Sequence, residues 1–298
     1  MTQQPHELLF GSFITPSADN VEQVVSLTRL SERAGLDLAT FQDHPYQPRL
    51  LDSWTLISYL AAATSRIRLA PNVMNLPMRQ PVVIARSAAS LDLLSGGRVE
   101  LALGAGGFWE AIEAIGGGRL SPGESIDALE EAITVIREIW DTGTRGGVRM
   151  DGAHYQVSGA KRGPAPAHDI GIWVGAYRPR ILRLVGRVAD GWVPSLSYLD
   201  GGLAGLAEAG RHIDEGARAA GRDPASIRRL LNIGGHFTPD GSPVLRGPLT
   251  QWAEQLAEIT LEHGVTGYVL AGDDPTGIQR FGEDVAPAVR ELVEKARR

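Results

Sequence analysis

Short apolar segments along the chain alternate with longer segments whose apolar residues recur every three or four positions. The short segments are typical of buried parallel strands and the longer ones of amphipathic helices. In residues 19–34, for example, Val21, Val24 and Leu27 share one helical face, and Gly35 follows as a helix stop. This alternation repeats until eight strand–helix pairs are complete.

The pairs predict both the element boundaries and the fold class. The predicted strands are 8–14, 36–42, 67–74, 99–103, 170–176, 191–194, the central part of 227–237, and 267–271. The predicted helices are 19–34, 53–65, 81–94, 122–140, 179–189, 202–220, 248–263 and 275–298. Eight parallel βα units predict an α/β protein with a (β/α)8 TIM barrel, and a six-stranded doubly wound sheet is the alternative.

One segment, about 144–169, has no helical pattern. Val148 and Met150 alternate there with polar neighbours, Asp151-Gly152 supplies a turn signal, and Tyr155 resumes the alternation. We expect a hairpin inserted before the fifth strand. Residues 1–298 then form a single barrel domain.

Composition excludes several kinds of chemistry. The chain has no cysteine, so disulfides, zinc–thiolate sites, iron–sulfur clusters and cysteine nucleophiles are all absent. A net charge of −6 without a basic cluster disfavours nucleic-acid binding. The sequence shows no secretory signal pattern and no apolar run approaching ~18 residues. We therefore expect a cytoplasmic protein, without a membrane or nucleic-acid partner, whose reactive group comes from other side chains or a cofactor.

In a barrel the active site lies at the carboxyl ends of the strands. Asp43 and His44 follow the second strand, and a histidine beside a carboxylate is suited to proton exchange near neutral pH. The alternative is that Asp43 caps its loop and His44 satisfies a backbone carbonyl. Gly104, Gly106 and Gly107 follow the fourth strand, where they either admit a flat ring close to the backbone or only turn the chain.

Anion binding is predicted after the fifth strand. Tyr177 and Arg178 precede Pro179, which is suited to begin a helix whose free N–H groups attract a phosphate. The loop at 234–236 competes for this role, since late loops bind phosphate in many barrels. No pairing of histidine with acidic residues has metal-ligand spacing, so no metal is expected.

Taken together, the motifs resemble the bacterial luciferase-like superfamily over nearly the whole chain. They are Phe10-Gly11-Ser12-Phe13, Asp43-His44, Ala70-Pro71-Asn72-Val73, Ser95-Gly96-Gly97-Arg98, Leu103-Gly104-Ala105-Gly106, Gly152-Ala153-His154-Tyr155, Trp173-Val174-Gly175-Ala176 and Ala189-Asp190-Gly191-Trp192. Within the superfamily the chain is most similar to methylenetetrahydromethanopterin reductase and to deazaflavin-dependent glucose-6-phosphate and alcohol dehydrogenases.

This resemblance implies a barrel that holds FMN or the deazaflavin coenzyme F420. It implies that His44 is the catalytic residue and that a non-prolyl cis peptide joins Asn72 to Val73. The residues expected to hold the cofactor are Asp43, Asn72, Val73, Gly104, Ala105, Gly106, Gly107, Ala176, Tyr177 and Arg178. The residues expected to line the substrate pocket are Phe13, Trp109, Glu110 and Trp192. Homodimers are common in the superfamily, so a homodimer is expected here.

Two departures leave the choice of cofactor and substrate open. Sugar-phosphate dehydrogenases of the group carry a glutamate where this chain has Gly107, and the deazaflavin branch often has two glycines in place of Tyr177-Arg178. The leading expectation is hydride transfer between a flavin or deazaflavin and a small organic substrate. The alternatives are a two-component monooxygenase, in which reduced FMN from a partner reductase reacts with oxygen, and a flavin-binding barrel without activity. The partner considered for the enzyme is a separate flavin or F420 reductase.

Overall fold

The computed structural model describes residues 6–241 and 243–298 and has a parallel barrel with eight strand positions. The third position is interrupted after Pro71 and resumes in the two-residue strand Met74–Asn75, which pairs with the fourth. Numbered along the chain, the barrel strands are β1 (Leu9–Ile14), β2 (Leu38–Phe41), β3 (Arg68–Pro71), β4 (Leu101–Gly104), β5 (Ile172–Val174), β6 (Gly191–Trp192), β7 (Arg228–Ile233) and β8 (Gly267–Ala271). β8 pairs with both β7 and β1, and a parallel bridge between Leu69 and Val99 joins β3 to β4. The (β/α)8 prediction is confirmed, and the open doubly wound sheet is wrong.

Helices cover the outside of the barrel. They are α1 (Val21–Arg33), α2 (Ser53–Ala63), α3 (Pro81–Ser95), α4 (Pro122–Trp140), α5 (Pro179–Val188), α6 (Leu203–Ala219), α7 (Leu249–His263) and α8 (Ala286–Arg297). Their ends carry the expected signals. Ser121 and Glu124 form a reciprocal capping box at the start of α4, and Gly96 ends α3 in the left-handed conformation.

Two segments differ from the predicted pattern. The glycine-rich stretch after β4 contains a short helix, Trp109–Ala114, which is too brief to show a hydrophobic period. The last predicted helix is divided into Pro275–Arg280, a π-helical turn at Phe281–Val285, and α8. At this turn the backbone of Gly282 comes so close to α1 that a Cβ would lie 2.5 Å from the Ala34 carbonyl oxygen.

The barrel interior is filled by apolar side chains, one from each strand or its end. They are Leu9, Leu38, Ala70, Ala102, Trp173, Val193, Leu230 and Val269. Phe13 and Val73 pack against the upper side of this cluster and are partly buried. Because the interior is a packed core, a ligand has room only at the carboxyl-end mouth.

The predicted hairpin is also confirmed. Val148–Asp151 pairs antiparallel with Gln156–Ala160, between α4 and β5. The carboxylate of Glu131 on α4 accepts hydrogen bonds from the backbone N–H groups of residues 153, 154 and 155, at 2.9, 3.0 and 2.9 Å. These bonds fix the turn of the hairpin to the outer helix layer. In the described ranges, no helix is long and apolar enough to cross a bilayer.

Candidate active site

A cavity of about 760 Å³ opens at the carboxyl ends of the strands, and the loops or ends of all eight strands contribute to its wall. Its lining is Phe13, Gln42, Asp43, His44, Tyr46, Asn72, Val73, Met74, Asn75, Gly104, Ala105, Gly106, Gly107, Phe108, Trp109, Pro122, Ser125, Ile126, Gly175, Ala176, Tyr177, Arg178, Ile181, Val193, Ser195, Ser197, Tyr198, Asn232 and Ala271. The volume lies within the range of about 300–1,000 Å³ that is usual for small-molecule sites.

His44 lies in the wall directly after β2 and is partly buried. Its Nδ1 is 2.7 Å from the hydroxyl of Tyr46, and its ring meets the ring of Phe108 nearly at right angles (88°) at 5.7 Å between centroids. Burial lowers the pKa of His44 below its usual value, and the nearby Asp43 carboxylate opposes this only in part. His44 is therefore a neutral imidazole at neutral pH.

Asp43 does not orient His44 through a hydrogen bond. Its buried carboxylate accepts hydrogen bonds from the backbone N–H of Asn75 at 2.9 Å and from the guanidinium of Arg79 at 3.1 and 3.3 Å. Arg79 also binds Asp52, the N-cap of α2, at 2.7 Å. Asp43 thus joins the loop after β2 to the loop after β3. The sequence analysis gave as its alternative that Asp43 caps its own loop. In the structure Asp43 instead binds the backbone of the loop after β3.

Val73 forms the floor of the cavity beneath the loops after β4 and β5. The peptide bond between Asn72 and Val73 is cis, as the resemblance implied. Glycines on both sides make room for the Val73 side chain. A Cβ at Gly104 would lie 2.7 Å from Val73 Cγ2, and one at Gly175 would lie 3.3 Å from Cγ1. Gly104 therefore allows a close approach of the Val73 side chain, whereas the approach of a ring to the other glycines after β4 stays a prediction.

A polar network that the sequence analysis missed crosses the floor. Asn72 and Asn232 exchange side-chain hydrogen bonds at 2.8 and 3.2 Å, and Asn232 also donates to the hydroxyl of Ser195 at 3.4 Å. In the neighbouring wall, the buried Oδ1 of Asn75 has no hydrogen-bond partner among the described residues. A polar Asn232 inside the apolar run Leu230–Ile233 was the available sequence signal.

The loop after β5 leads into α5, whose first turn has no side-chain cap. The hydroxyl of Tyr177 accepts a hydrogen bond from the Ser195 backbone at 2.9 Å, which joins this loop to the one after β6. The exposed guanidinium of Arg178 donates to Asp200 at 2.9 Å. Tyr177 and Arg178 both line the cavity, whereas the competing loop at 234–236 does not.

Two residues predicted for the substrate pocket do not line the cavity. The Glu110 side chain is 84% exposed and pairs with Arg119. Trp192 is buried in the core, and its indole N–H donates to the carbonyl of Ala176 at 2.9 Å. Successive side chains of a strand point to opposite faces. Val193, directly after β6, faces the barrel interior, so Trp192 faces the surrounding helices and not the cavity. Phe13 and Trp109 do line the cavity.

Aromatic side chains beyond those named for the cofactor and the substrate pocket also lie at the cavity mouth. Tyr46 and Phe108 flank His44, and Tyr198 meets the ring of Tyr177 at 6.1 Å. Phe108 and Tyr198 are 70% and 72% exposed. Within the described part of the chain, no group of three or more histidine, aspartate or glutamate side chains is placed to hold a metal ion.

Comparisons with known proteins identify the family of the chain. A family model for luciferase-like monooxygenases matches residues 7–263. An F420-dependent glucose-6-phosphate dehydrogenase of Mycolicibacterium fortuitum is 28% identical over 91% of this chain and 87% of its own length. A 5,10-methylenetetrahydromethanopterin reductase of Methanolobus tindarius is 33% identical over 94% of this chain and 76% of its own length.

Solved structures share the fold at low sequence identity. An F420-dependent secondary alcohol dehydrogenase in complex with an F420-acetone adduct superposes with a TM-score of 0.82, covers 95% of this chain and 99% of its own, and is 20% identical. A riboflavin lyase with modified FMN and riboflavin gives a TM-score of 0.81 at 17% identity, over 96% and 92% of the two chains. The extent of the family match, together with the barrel and the cavity at its mouth, shows that the chain belongs to the luciferase-like monooxygenase family of enzymes.

Proposed function

We propose that the protein is an F420-dependent oxidoreductase that moves a hydride between the deazaflavin ring and a small organic substrate. One observation carries the proposal: a neutral histidine, His44, lines an apolar-walled cavity and has its Nδ1 held by a tyrosine hydroxyl. Such a group can take up or release the proton that accompanies hydride transfer. The names of the relatives from Mycolicibacterium fortuitum and Methanolobus tindarius support the oxidoreductase class, and the first supports F420.

The residues of the cavity fit a deazaflavin. The free Oδ1 of Asn75 is a buried acceptor suited to an N–H group of the ring. Val73 and the backbone around Gly104 offer an apolar surface for a flat ring. The uncapped first turn of α5 and the hydroxyl of Ser197 are suited to a phosphate tail. The cofactor supplies the two-electron chemistry when it is bound, and the protein supplies orientation and the proton.

The hydrogen bond to Tyr46 allows His44 both to accept and to donate a proton at Nε2. A phenolic hydroxyl can donate to Nδ1 or accept from it, so the hydrogen on the imidazole can lie on either nitrogen. Nε2 can then accept a proton from an alcohol or return one to a carbonyl oxygen. Burial and the Asp43 charge raise the pKa of Tyr46, which keeps this hydroxyl protonated.

Anaerobic titration with oxidised F420 and with FMN tests the proposal. We expect tight binding of F420, negligible binding of FMN, and hydride exchange between F420 and small alcohols. In a His44→Asn variant we expect turnover to fall about a hundredfold while F420 affinity is kept, because only the proton transfer is removed. Equal loss of turnover and affinity would contradict the role given to His44.

Titration with reduced FMN, followed by addition of oxygen, separates the alternative functions. A two-component monooxygenase would bind reduced FMN from a separate reductase, consume oxygen, and tolerate His44→Asn. A flavin-binding barrel without activity would bind cofactor and show no redox change with either substrate or oxygen. Each of these outcomes would replace F420-dependent hydride transfer.

We propose a homodimer formed through the outer faces of α2 and α3. Tyr59, Val83, Leu93 and Leu94 are large apolar side chains exposed on these helices, and Leu94 is 85% exposed. Exposed apolar side chains of this size on a protein surface favour association. Light scattering should give a dimer mass, and Leu94→Glu should yield monomers. A monomeric wild-type protein at micromolar concentration would contradict this arrangement.

A further inference from the structure

The charged groups of the cavity wall are already neutralised. Asp43 is bound by Arg79, and the Arg178 guanidinium is bound by Asp200 on the loop assigned to the cofactor tail. His44 is neutral because burial lowers its pKa. Around His44, no unpaired cation therefore lines the cavity in residues 6–241 and 243–298. A phosphate or carboxylate on the substrate would lose its hydration here without gaining a partner.

The surroundings of His44 are aromatic. Phe108 lies 5.7 Å from its ring and 6.1 Å from the ring of Tyr46, measured between centroids. Trp109 and Phe13 continue the apolar wall. A flat apolar group placed here would cover the ring of Phe108, which is 70% exposed. Aromatic rings in edge-to-face or offset contact gain attraction beyond the area they bury.

Phe108 is presented by an unusual backbone. Its φ of 56° and ψ of 47° are left-handed, a conformation that bulky residues rarely adopt. It is the residue that begins the short helix Trp109–Ala114, and this conformation holds its ring beside His44. The preceding Gly107 leaves open space, since a Cβ there would meet no atom within 4 Å. The backbone at Gly107 is thus open, and the cavity of about 760 Å³ leaves room for a group beside the aromatic wall.

We propose that the substrate is an uncharged alcohol, or the corresponding ketone, whose reacting carbon carries an aromatic group held against Phe108. This rests on the proposed function. In oxidation, the carbinol C–H bond breaks and its electron pair goes as hydride to oxidised F420. The O–H proton goes to Nε2 of His44, and the C=O double bond forms. A phosphorylated sugar, which the name of the Mycolicibacterium fortuitum relative indicates for that enzyme, is not a substrate here.

Three matched alcohols test the proposal by binding alone. Methyl mandelate is neutral and aromatic, mandelate adds a charge, and methyl lactate lacks the phenyl group. Affinities are measured anaerobically by calorimetry on the protein loaded with reduced F420, which cannot accept a hydride. We expect methyl mandelate to bind at least about tenfold more tightly than either of the others, as burial of one phenyl group implies. Equal or tighter binding of mandelate or of methyl lactate would overturn the proposal.

Turnover measurements distinguish a failure of the substrate proposal from a failure of the proposed function. The matching ketones are methyl benzoylformate, benzoylformate and methyl pyruvate, and each is offered to the reduced holoenzyme. Fastest reoxidation of F420 by methyl benzoylformate, and none by oxidised sugar phosphates, supports both proposals. Hydride transfer with a preference for benzoylformate overturns the substrate class alone. Absence of any hydride transfer by protein that binds F420 overturns the proposed function alone, and the affinities of the F420-loaded protein for the three alcohols then test the substrate class. Absence of F420 binding overturns both proposals.

Variants test which side chains cause the preference for methyl mandelate. Phe108→Ala should reduce the preference for methyl mandelate over methyl lactate to less than about threefold, because the phenyl group loses its contact. Leu261→Ala removes an exposed apolar side chain from α7 and should leave the preference unchanged. Position 107 has open space for a longer side chain. A Gly107→Arg variant should therefore bind mandelate more tightly, because the new guanidinium can pair with the mandelate carboxylate. A circular dichroism spectrum and melting temperature like those of the wild type show that each variant is folded, and an unchanged preference in folded Phe108→Ala would contradict the proposal.

Discussion

Replacing Tyr46 by phenylalanine removes one hydroxyl and keeps the ring that lines the cavity. That hydroxyl is 2.7 Å from Nδ1 of His44 and is the hydrogen-bond partner observed for the imidazole. Without it, the imidazole loses the group that fixes its orientation and lets the hydrogen move between its nitrogens. We therefore expect Tyr46→Phe to slow the chemical step through His44.

The size of the effect follows from the bond that is lost. A hydrogen bond between neutral groups is worth about 0.5–1.5 kcal/mol. If the transition state loses about 1 kcal/mol, turnover falls about fivefold, since about 1.4 kcal/mol corresponds to a factor of ten. His44→Asn removes proton transfer itself and should cost about a hundredfold or more. Tyr46→Phe should therefore lie between the wild type and His44→Asn.

The assay is the anaerobic rate of F420 reduction by an alcohol substrate, with F420 affinity measured separately by fluorescence. Tyr59→Phe makes the same chemical change on the exposed side of α2 and is the control. We expect Tyr46→Phe to lower kcat and leave F420 affinity unchanged. Wild-type kcat in Tyr46→Phe would refute the role given to the hydroxyl. A parallel loss of F420 affinity would show that Tyr46 acts mainly on cofactor binding.

Three further predictions concern charge and packing. Arg79→Gln leaves the buried Asp43 carboxylate without its cation, so the free energy of unfolding should fall by about 3 kcal/mol. The unpaired charge should also raise the pKa of the His44 imidazole and shift the acid limb of alcohol oxidation to higher pH. Glu100 and Asp92 raise the pKa of His168, so its stabilisation is complete below about pH 6.5 and is lost as pH rises through the higher folded value. Gly104→Ala should weaken F420 binding by about 1–3 kcal/mol, because the new Cβ collides with the cavity floor.

Each of these has a matched control. Gly118→Ala adds the same methyl group in open space outside the cavity and should leave F420 affinity unchanged. For His168, chemical denaturation of the wild type and of His168→Gln should give curves that converge as pH rises, and a constant difference would contradict the linkage. For Arg79, the acid limb of the rate profile is compared with that of Arg49→Gln, whose side chain is exposed. Identical profiles for the two variants would contradict the predicted rise in pKa.

The barrel was predictable because its signals are local and repeated. Strand and helix periods, glycine stops and proline starts recur in each βα unit, so an error of a few residues in one element leaves the count intact. The hairpin was found in the same way, from alternation around one turn signal. The short helix after β4 and the π-helical turn before α8 were not predictable, because the first is less than two turns long and the second depends on contact with α1.

The candidate site was predictable only where it follows directly from the strand ends. Asp43, His44 and the glycines after β4 lie where strand order places them. The partners of Asp43, by contrast, are Arg79 and the Asn75 backbone, more than thirty residues away, and no local pattern indicates that pairing. Trp192 was misplaced because a two-residue strand shows too little alternation to assign its inner face.

Direct transfer of hydrogen between substrate and F420 tests the central claim most closely. Secondary alcohols labelled with deuterium at the carbinol carbon are mixed anaerobically with the protein and oxidised F420, and the reduced cofactor is analysed by mass spectrometry. The account predicts one deuterium in the cofactor in the absence of oxygen, and much slower labelling with His44→Asn. Unlabelled F420 under these conditions, together with oxygen-dependent conversion of the substrate in the presence of reduced FMN, would contradict it.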